Sequence, residues 1–307
     1  MTMQVLESFL FFSVIGAAVG LLIRIFLPHV LAWRGVWFTW HTKFGPALVF
    51  DSKDEDGTTV RLLNVGGTFQ SVCYVSSELL WDPVCEYHRS WARVVHRAWP
   101  KAQKGCSEER PNRHRALVMG GGGFSFPKWL IAYRQDFACD AVEIDPAILQ
   151  IAREQFFLDE LISTFCTHAN NRLNLIVDDA WSYLAKSGTS FDLIVNDAFR
   201  GNKPLGNVNT LDGAKTVRHH LTHDGVYIGN VRTPLVGKRS MPLWEAADAF
   251  LAVFGNVWII PERPEDPKKP GNNALVACKK ALDLGTISGA VQYLRPGKGI
   301  NTWQTIS

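Results

Sequence analysis

Residues 115–145 read RALVMGGGGFSFPKWLIAYRQDFACDAVEID. An apolar run, RALVM, ends in four glycines. KWLIAYRQ then carries apolar residues at helical spacing, and CDAVEID is a second apolar run that closes on acids. Short continuous apolar runs bounded by glycine fit strands covered on both faces. Glycine lets backbone approach a ligand closely, and the helix that follows supplies free N–H groups at its N-terminus. Glu143, 23 residues beyond Gly120, ends the second strand, where a carboxylate can take both hydroxyls of a ribose. The third glycine of a dinucleotide fingerprint falls at Ser125, so Gly120, Gly121 and Gly122 point to a nucleoside rather than to a full dinucleotide.

The pattern repeats downstream. PAILQIAREQFFL is a helix with proline at its start, LNLIVDD and FDLIVNDAF are buried-type strands, and WSYLAKS is a short helix between them. GAKTVRHHL, GVYIGNV, VWIIPE and NNALVACKK close the series. Strands alternating with helices predict βαβ units, here a seven-stranded and mostly parallel sheet with NNALVACKK as an antiparallel edge strand. Two of these strands end in acids, at Asp178-Asp179-Ala180 and at Asn196-Asp197-Ala198-Phe199. Ligands bind at the carboxyl ends of strands in such a sheet, which brings Glu143, Asp179 and Asp197 to one crevice. There Asp179 can accept from an adenine amino group, and Asp197 faces the reacting centre as acceptor or general base. Each acid taken singly also fits a helix N-cap.

The chain has 307 residues, 47% of them hydrophobic and 20% charged, which excludes disordered, collagen-like and coiled-coil classes. A net charge of +3 does not mark a nucleic-acid binder. Six cysteines without a C-x-x-C pair form neither a disulfide scaffold nor a zinc site, and His219, His220 and His223 lack a fourth ligand. The uncharged run Ser8–Ile23 spans about 24 Å as a helix, and snorkelling of Arg24 extends it toward about 30 Å before Pro28 ends it. Arg24, Arg34 and Lys43 follow the run and Glu7 precedes it, which places the bulk of the chain in the cytosol, with Trp33, Trp37 and Trp40 as an interfacial belt. Gly16 and Gly20 form a G-x-x-x-G that can pair helices in lipid. The organisation expected is a membrane anchor at 1–34, a small β-hairpin domain plus helix at 35–105, a nucleoside-binding catalytic domain at 106–285 and a patternless tail at 286–307. Residues 101–114 read as a linker, and Arg113, His114 and Arg115 as solvated.

From about 45 to 280 the chain resembles the spermidine synthase (polyamine aminopropyltransferase) family, in its divergent bacterial branch. The resemblance rests on ALVMGGGG, AVEIDPAILQIARE, LIVDDAWSYL, FDLIVNDAF, GVYIGNV and NNALVACKK, and on Gln70 in GGTFQS with the pair Tyr87-His88. It implies a class I S-adenosylmethionine-dependent methyltransferase-like (Rossmann-like) sheet behind a small β-domain. It also implies a transferase that moves an aminopropyl group from decarboxylated S-adenosylmethionine to an amine, without a metal. By the resemblance, Glu143 holds the ribose, Asp179 and Ala180 the adenine, and Asp197 is the catalytic aspartate, while Gln70, Tyr87 and His88 border donor and acceptor. The long interval from Gln70 to Tyr87 implies a longer hairpin. The expected partners are a small-molecule acceptor, the membrane and a second copy of the chain.

Three positions depart from the family pattern. Gly123 stands where the family loop has an aspartate, Arg200 where a strand end has its second aspartate, and Arg89 where a glutamate follows tyrosine–histidine. Each change removes a negative charge, which suits intact S-adenosylmethionine better than a polyamine. Two alternatives therefore stay open: a methyltransferase acting on a non-polyamine substrate, and a membrane-tethered nucleoside-binding protein without catalysis.

Overall fold

The computed structural model describes residues 3–100, 113–166, 170–200, 203–204 and 210–294. The linker expected at 101–114 lies outside these residues except for Arg113 and His114, as does the tail beyond 294. Helix α1 (Met3–Trp33) runs through Pro28, which does not end it. Proline has no N–H for the carbonyl of Arg24, one helical turn back. The indole Nε1 of Trp40 donates to that oxygen instead, at 3.3 Å. Ile15–Trp33 is long and apolar enough to cross a membrane, and its side chains face outward, with Leu21 60% exposed and Phe26 57%.

Four antiparallel strands follow in chain order: β1 (Trp37–Thr39), β2 (Ala47–Lys53), β3 (Thr59–Val65) and β4 (Thr68–Tyr74). Trp37 is thus held in a strand and packs on the core of this sheet. Gly66 and Gly67 close the β3–β4 hairpin at φ 57° and 83°, the left-handed pair that matches the strand twist. The longer interval before Tyr87 adds no strand. Residues 75–85 are turns leading into α2 (Glu86–Ala98), whose buried stripe is His88, Trp91, Val94 and Val95.

The larger sheet is built from β5 (His114–Met119), α3 (Ser125–Tyr133), β6 (Phe137–Glu143), α4 (Pro146–Gln155), α5 (Leu158–Phe165), β7 (Leu173–Val177), α6 (Ala180–Lys186) and β8 (Phe191–Asn196). A two-residue ladder of β9 (Phe199–Arg200) and β10 (Lys203–Pro204) precedes α7 (Leu211–His219) and β11 (Leu221–Thr233). Then come α8 (Met241–Phe254), β12 (Asn256–Ile260), β13 (Gly271–Cys278) and β14 (Val291–Gln292). The order is β14-β12-β13-β11-β8-β5-β6-β7. Five strands are parallel, from β7 to β11. β13, which is NNALVAC with its preceding glycine, is antiparallel but not at the edge: it lies between β11 and β12. Both of its faces are covered, which is why the segment is apolar without alternation.

The run read as one helix at 146–158 breaks at Phe157, whose φ of 60° turns the chain into α5. Arg113 and Arg115 are exposed, as expected of a solvated triplet, and His114 and Arg115 also make pairs. Arg115 N and the His114 ring both meet Asp192, and the Arg115 guanidinium meets Asp140. Burial acts to raise the Asp192 carboxyl, but hydrogen bonds from His114, Arg115 and Thr222 outweigh it and hold the group below its ordinary value.

Two contacts hold the site's elements together. The small sheet packs Ala47, Val49, Leu63 and Val65 on Ile148 and Ile151 of α4. Arg134, fully buried at the end of α3, donates to Val95 O and Trp99 O at the end of α2 and pairs with Asp136 at 2.6 Å. Arg134→Ala leaves the half-buried Asp136 carboxylate and two carbonyls unpaired, so it should lower stability by about 2–3 kcal/mol in denaturant unfolding.

Candidate active site

A cleft of about 980 Å³ opens at the carboxyl ends of β5, β6 and β8 and is roofed by β4 and α2. Gln70, Tyr87, His88, Gly120, Gly121, Gly122, Glu143, Asp179, Ala180 and Asp197 all line it. The glycine turn is tight for a stated reason. Gly120 has φ 97°, and a Cβ there would lie 2.6 Å from the carbonyl oxygen of Asp197. The turn is also where Glu143 is fixed. Its Oε2 accepts from the N–H groups of Gly121 and Gly122 at 3.0 Å each, and its Oε1 accepts from Asp145 N at 2.9 Å. Burial raises the Glu143 carboxyl above its ordinary value, against the pull of these backbone donors.

Asp179 is the N-cap of α6, with Oδ1 accepting from Ser182 N at 2.8 Å, and it lines the cleft as well. Cap and cleft-lining acid are therefore one residue. Asp197 follows β8 directly. Its backbone N–H bonds Met119 O at 2.8 Å, its Oδ1 accepts from Asn230 Nδ2 at 2.8 Å, and its Oδ2 lies 3.4 Å from His88 Nε2. Rings hold His88 in place: Tyr87 at 4.1 Å, Trp91 at 4.9 Å and, behind Trp91, Phe126 of α3 at 5.4 Å. Burial first, and then the charge of Asp197, push the Tyr87 phenol well up, so it stays protonated and able to donate.

Gln70 reaches the cleft through a feature the sequence does not announce. The β3–β4 register pairs Leu63 with Ser71 but Asn64 with Phe69, so Gln70 is the extra residue of a β-bulge. A bulge re-aims its side chain. It sets Gln70 at the border of a second cavity, of about 1220 Å³, which shares Tyr87, His88 and Asp197 with the first. Asp197 thus stands between two chambers. Asn230, Arg232 and Asn272 line only the second chamber, and sequence reasoning passed over them. The signal was present: GVYIGNV is an apolar strand interrupted by one buried asparagine.

Of the three departures, two take a different meaning in space. At Gly123 a Cβ would lie 2.5 Å from Ser71 Oγ and 2.8 Å from the Phe156 ring, so a side chain there requires Ser71 and Phe156 to move. Arg89 turns away from both chambers, donating to Pro83 O and the Tyr74 hydroxyl at 2.9 Å each. Arg200 lies in β9, and its side chain falls outside the described residues. His223 pairs with Asp224 at 2.8 Å, and no group of three ligating residues able to hold a metal occurs among the described residues.

Residues 103–247 match the family model of the spermine/spermidine synthase domain. A polyamine aminopropyltransferase of Vibrio vulnificus is 24% identical over 202 residues, covering 64% of this chain and 61% of that protein. The match therefore spans under two thirds of that relative's length. Among solved structures, a probable spermidine synthase from Corynebacterium glutamicum superposes with a TM-score of 0.62 at 18% identity, covering 83% of each chain. A spermidine synthase in complex with the transition state analogue AdoDATO superposes at 0.57 with 16% identity, covering 80% of this chain and 74% of the other. Residues 103–247 are thus similar to the spermine/spermidine synthase domain, and the solved spermidine synthases share the fold.

Proposed function

We propose that the protein transfers an aminopropyl group from decarboxylated S-adenosylmethionine to an amine. The observation that carries this reading is the charge of the first chamber. Glu143, Asp179 and Asp197 line it, and no lysine or arginine is among its described lining residues. A sulfonium donor ending in an ammonium suits three carboxylates. Intact S-adenosylmethionine would bring a fourth carboxylate, and the Gly121 and Gly122 amides of the turn already bond Glu143. A carboxylate offers about four acceptor positions. Three on Glu143 are filled, which leaves one for a ribose hydroxyl.

In the transfer, a neutral amine nitrogen attacks the methylene carbon bonded to the sulfonium. The new C–N bond forms as the C–S bond breaks, and the electron pair returns to sulfur, leaving methylthioadenosine. Asp197 takes the proton that the amine gives up, held for that task by Asn230 and facing His88. Tyr87, protonated, orients the amine or the Asp197 carboxylate by donation. Gln70 borders both substrates from the bulge. The small sheet and α2, within residues 35–105, serve as the roof of a catalytic unit at 106–285.

We infer further that α1 crosses the membrane and that the catalytic unit faces the cytosol. The exposed apolar surface of Ile15–Trp33 and the basic residues that follow it support this reading.

Calorimetric titration should show decarboxylated S-adenosylmethionine binding at least about tenfold more tightly than the intact compound, a margin of about 1.4 kcal/mol. The reverse order would move the reading to methyl transfer. In the same titration Glu143→Ala should weaken the donor by about 10- to 150-fold. Asp197→Asn keeps the shape and removes the charge, so turnover should fall by about 10²- to 10⁴-fold while donor affinity stays near that of the unaltered chain. Fractionation tests the anchor: the full chain should remain with membranes after carbonate washing and enter solution only with detergent. Recovery in the soluble fraction would remove α1 from the bilayer.

A further inference from the structure

The second chamber differs in charge from the first, and the difference bears on the acceptor. Asp197 lines this chamber. Beside it Asn230 is 6% exposed and spends its Nδ2 on Asp197 Oδ1, while its Oδ1 has no hydrogen-bond partner. A buried amide oxygen without a donor is costly, and in a cavity wall it asks for a donor from the ligand. An amine approaching Asp197 supplies one.

Two residues further along β11, on the same face, Arg232 lines the same chamber. Two residues of strand place it about 7 Å from Asn230. Arg232 is exposed, and no hydrogen bond or ion pair engages it among the described residues. Its cross-strand neighbour is Asn272. The nearest acid behind that wall, Glu262, is occupied: it accepts from Asn272 N at 2.8 Å and Asn272 Nδ2 at 3.1 Å, and it lies 4.0 Å from Arg263 Nε. The chamber therefore offers an acceptor pair for an amine at one end and an uncommitted guanidinium at the other.

We propose that the acceptor is an amine bearing a carboxylate several bonds from its nucleophilic nitrogen, an α,ω-diamino acid rather than a simple diamine, with Asn230 receiving the amine N–H and Arg232 the carboxylate. This specificity rests on the aminopropyl-transfer reading for its chemistry, but binding at the second chamber does not require the donor. A diamine would place its second cation against Arg232. A carboxylate in that place takes two parallel N–H bonds from the guanidinium.

L-ornithine and butane-1,4-diamine differ by one carboxylate and make the comparison direct. With the full chain in detergent, calorimetry should show ornithine binding at least about tenfold more tightly than the diamine. Arg232→Glu should reverse that order, and Arg232→Lys, which keeps the charge without the fork, should preserve it with a smaller margin. Equal or tighter binding of the diamine, no binding of either compound, or an ornithine preference that survives Arg232→Glu would overturn the inference. Release of methylthioadenosine from decarboxylated S-adenosylmethionine reads the transfer separately. Ornithine binding as expected with no such release would overturn the transfer reading and leave the acceptor assignment standing.

Discussion

The site depends on one close approach. Where β5 ends, the backbone of Gly120 passes so near the carbonyl of Asp197 that a Cβ would lie 2.6 Å from its oxygen. The same neighbourhood carries the hydrogen bond from Asp197 N to Met119 O. A side chain at 120 would push β8 from β5 and carry Asp197 away from the glycine turn. Because that turn stays tight, its next two amides reach Glu143, and the acid at the end of β6 is fixed relative to the acid at the end of β8. The first chamber is thus assembled by backbone contacts.

Around this centre the charge is unevenly divided. The first chamber keeps its three carboxylates without a described cation on its wall, whereas the wall of the second carries both Asp197 and Arg232. The departures from the family pattern fit this division only once their positions are known. Gly123 is packed against Ser71 and Phe156 and exposes no surface for a ligand, and Arg89 serves the β4–α2 connection. Neither makes the first chamber cationic. The residue that changes the character of the second chamber is Arg232, at the far end of a strand.

At the N-terminus a helix that should stop at proline continues, because Trp40 supplies the donor that Pro28 cannot. The contact ties the apolar helix to the residue just after β1, so the chain enters the small sheet directly from α1. That sheet in turn packs on α4, beside the loop that holds Asp145 and Glu143.

The sequence by itself determined the alternation of strands and helices, the glycine turn, and the acids at the ends of three strands. Those features are local: apolar runs, glycine and chain order carry them within a few residues. It was silent on the bulge at Gln70, the break at Phe157, the helix Met241–Phe254 and the place of β13 inside the sheet, for which the same apolar run serves an edge or an interior position. It also counted Arg89 and Gly123 by charge alone. Whether a charge faces a ligand depends on which backbone stands beside it, and only the tertiary structure decided that, by closing Ser71 over Gly123, turning Arg89 toward Tyr74 and leaving Asn230 and Arg232 on the wall of a second chamber. Contacts between residues far apart in the chain set those positions, and no local pattern encodes them.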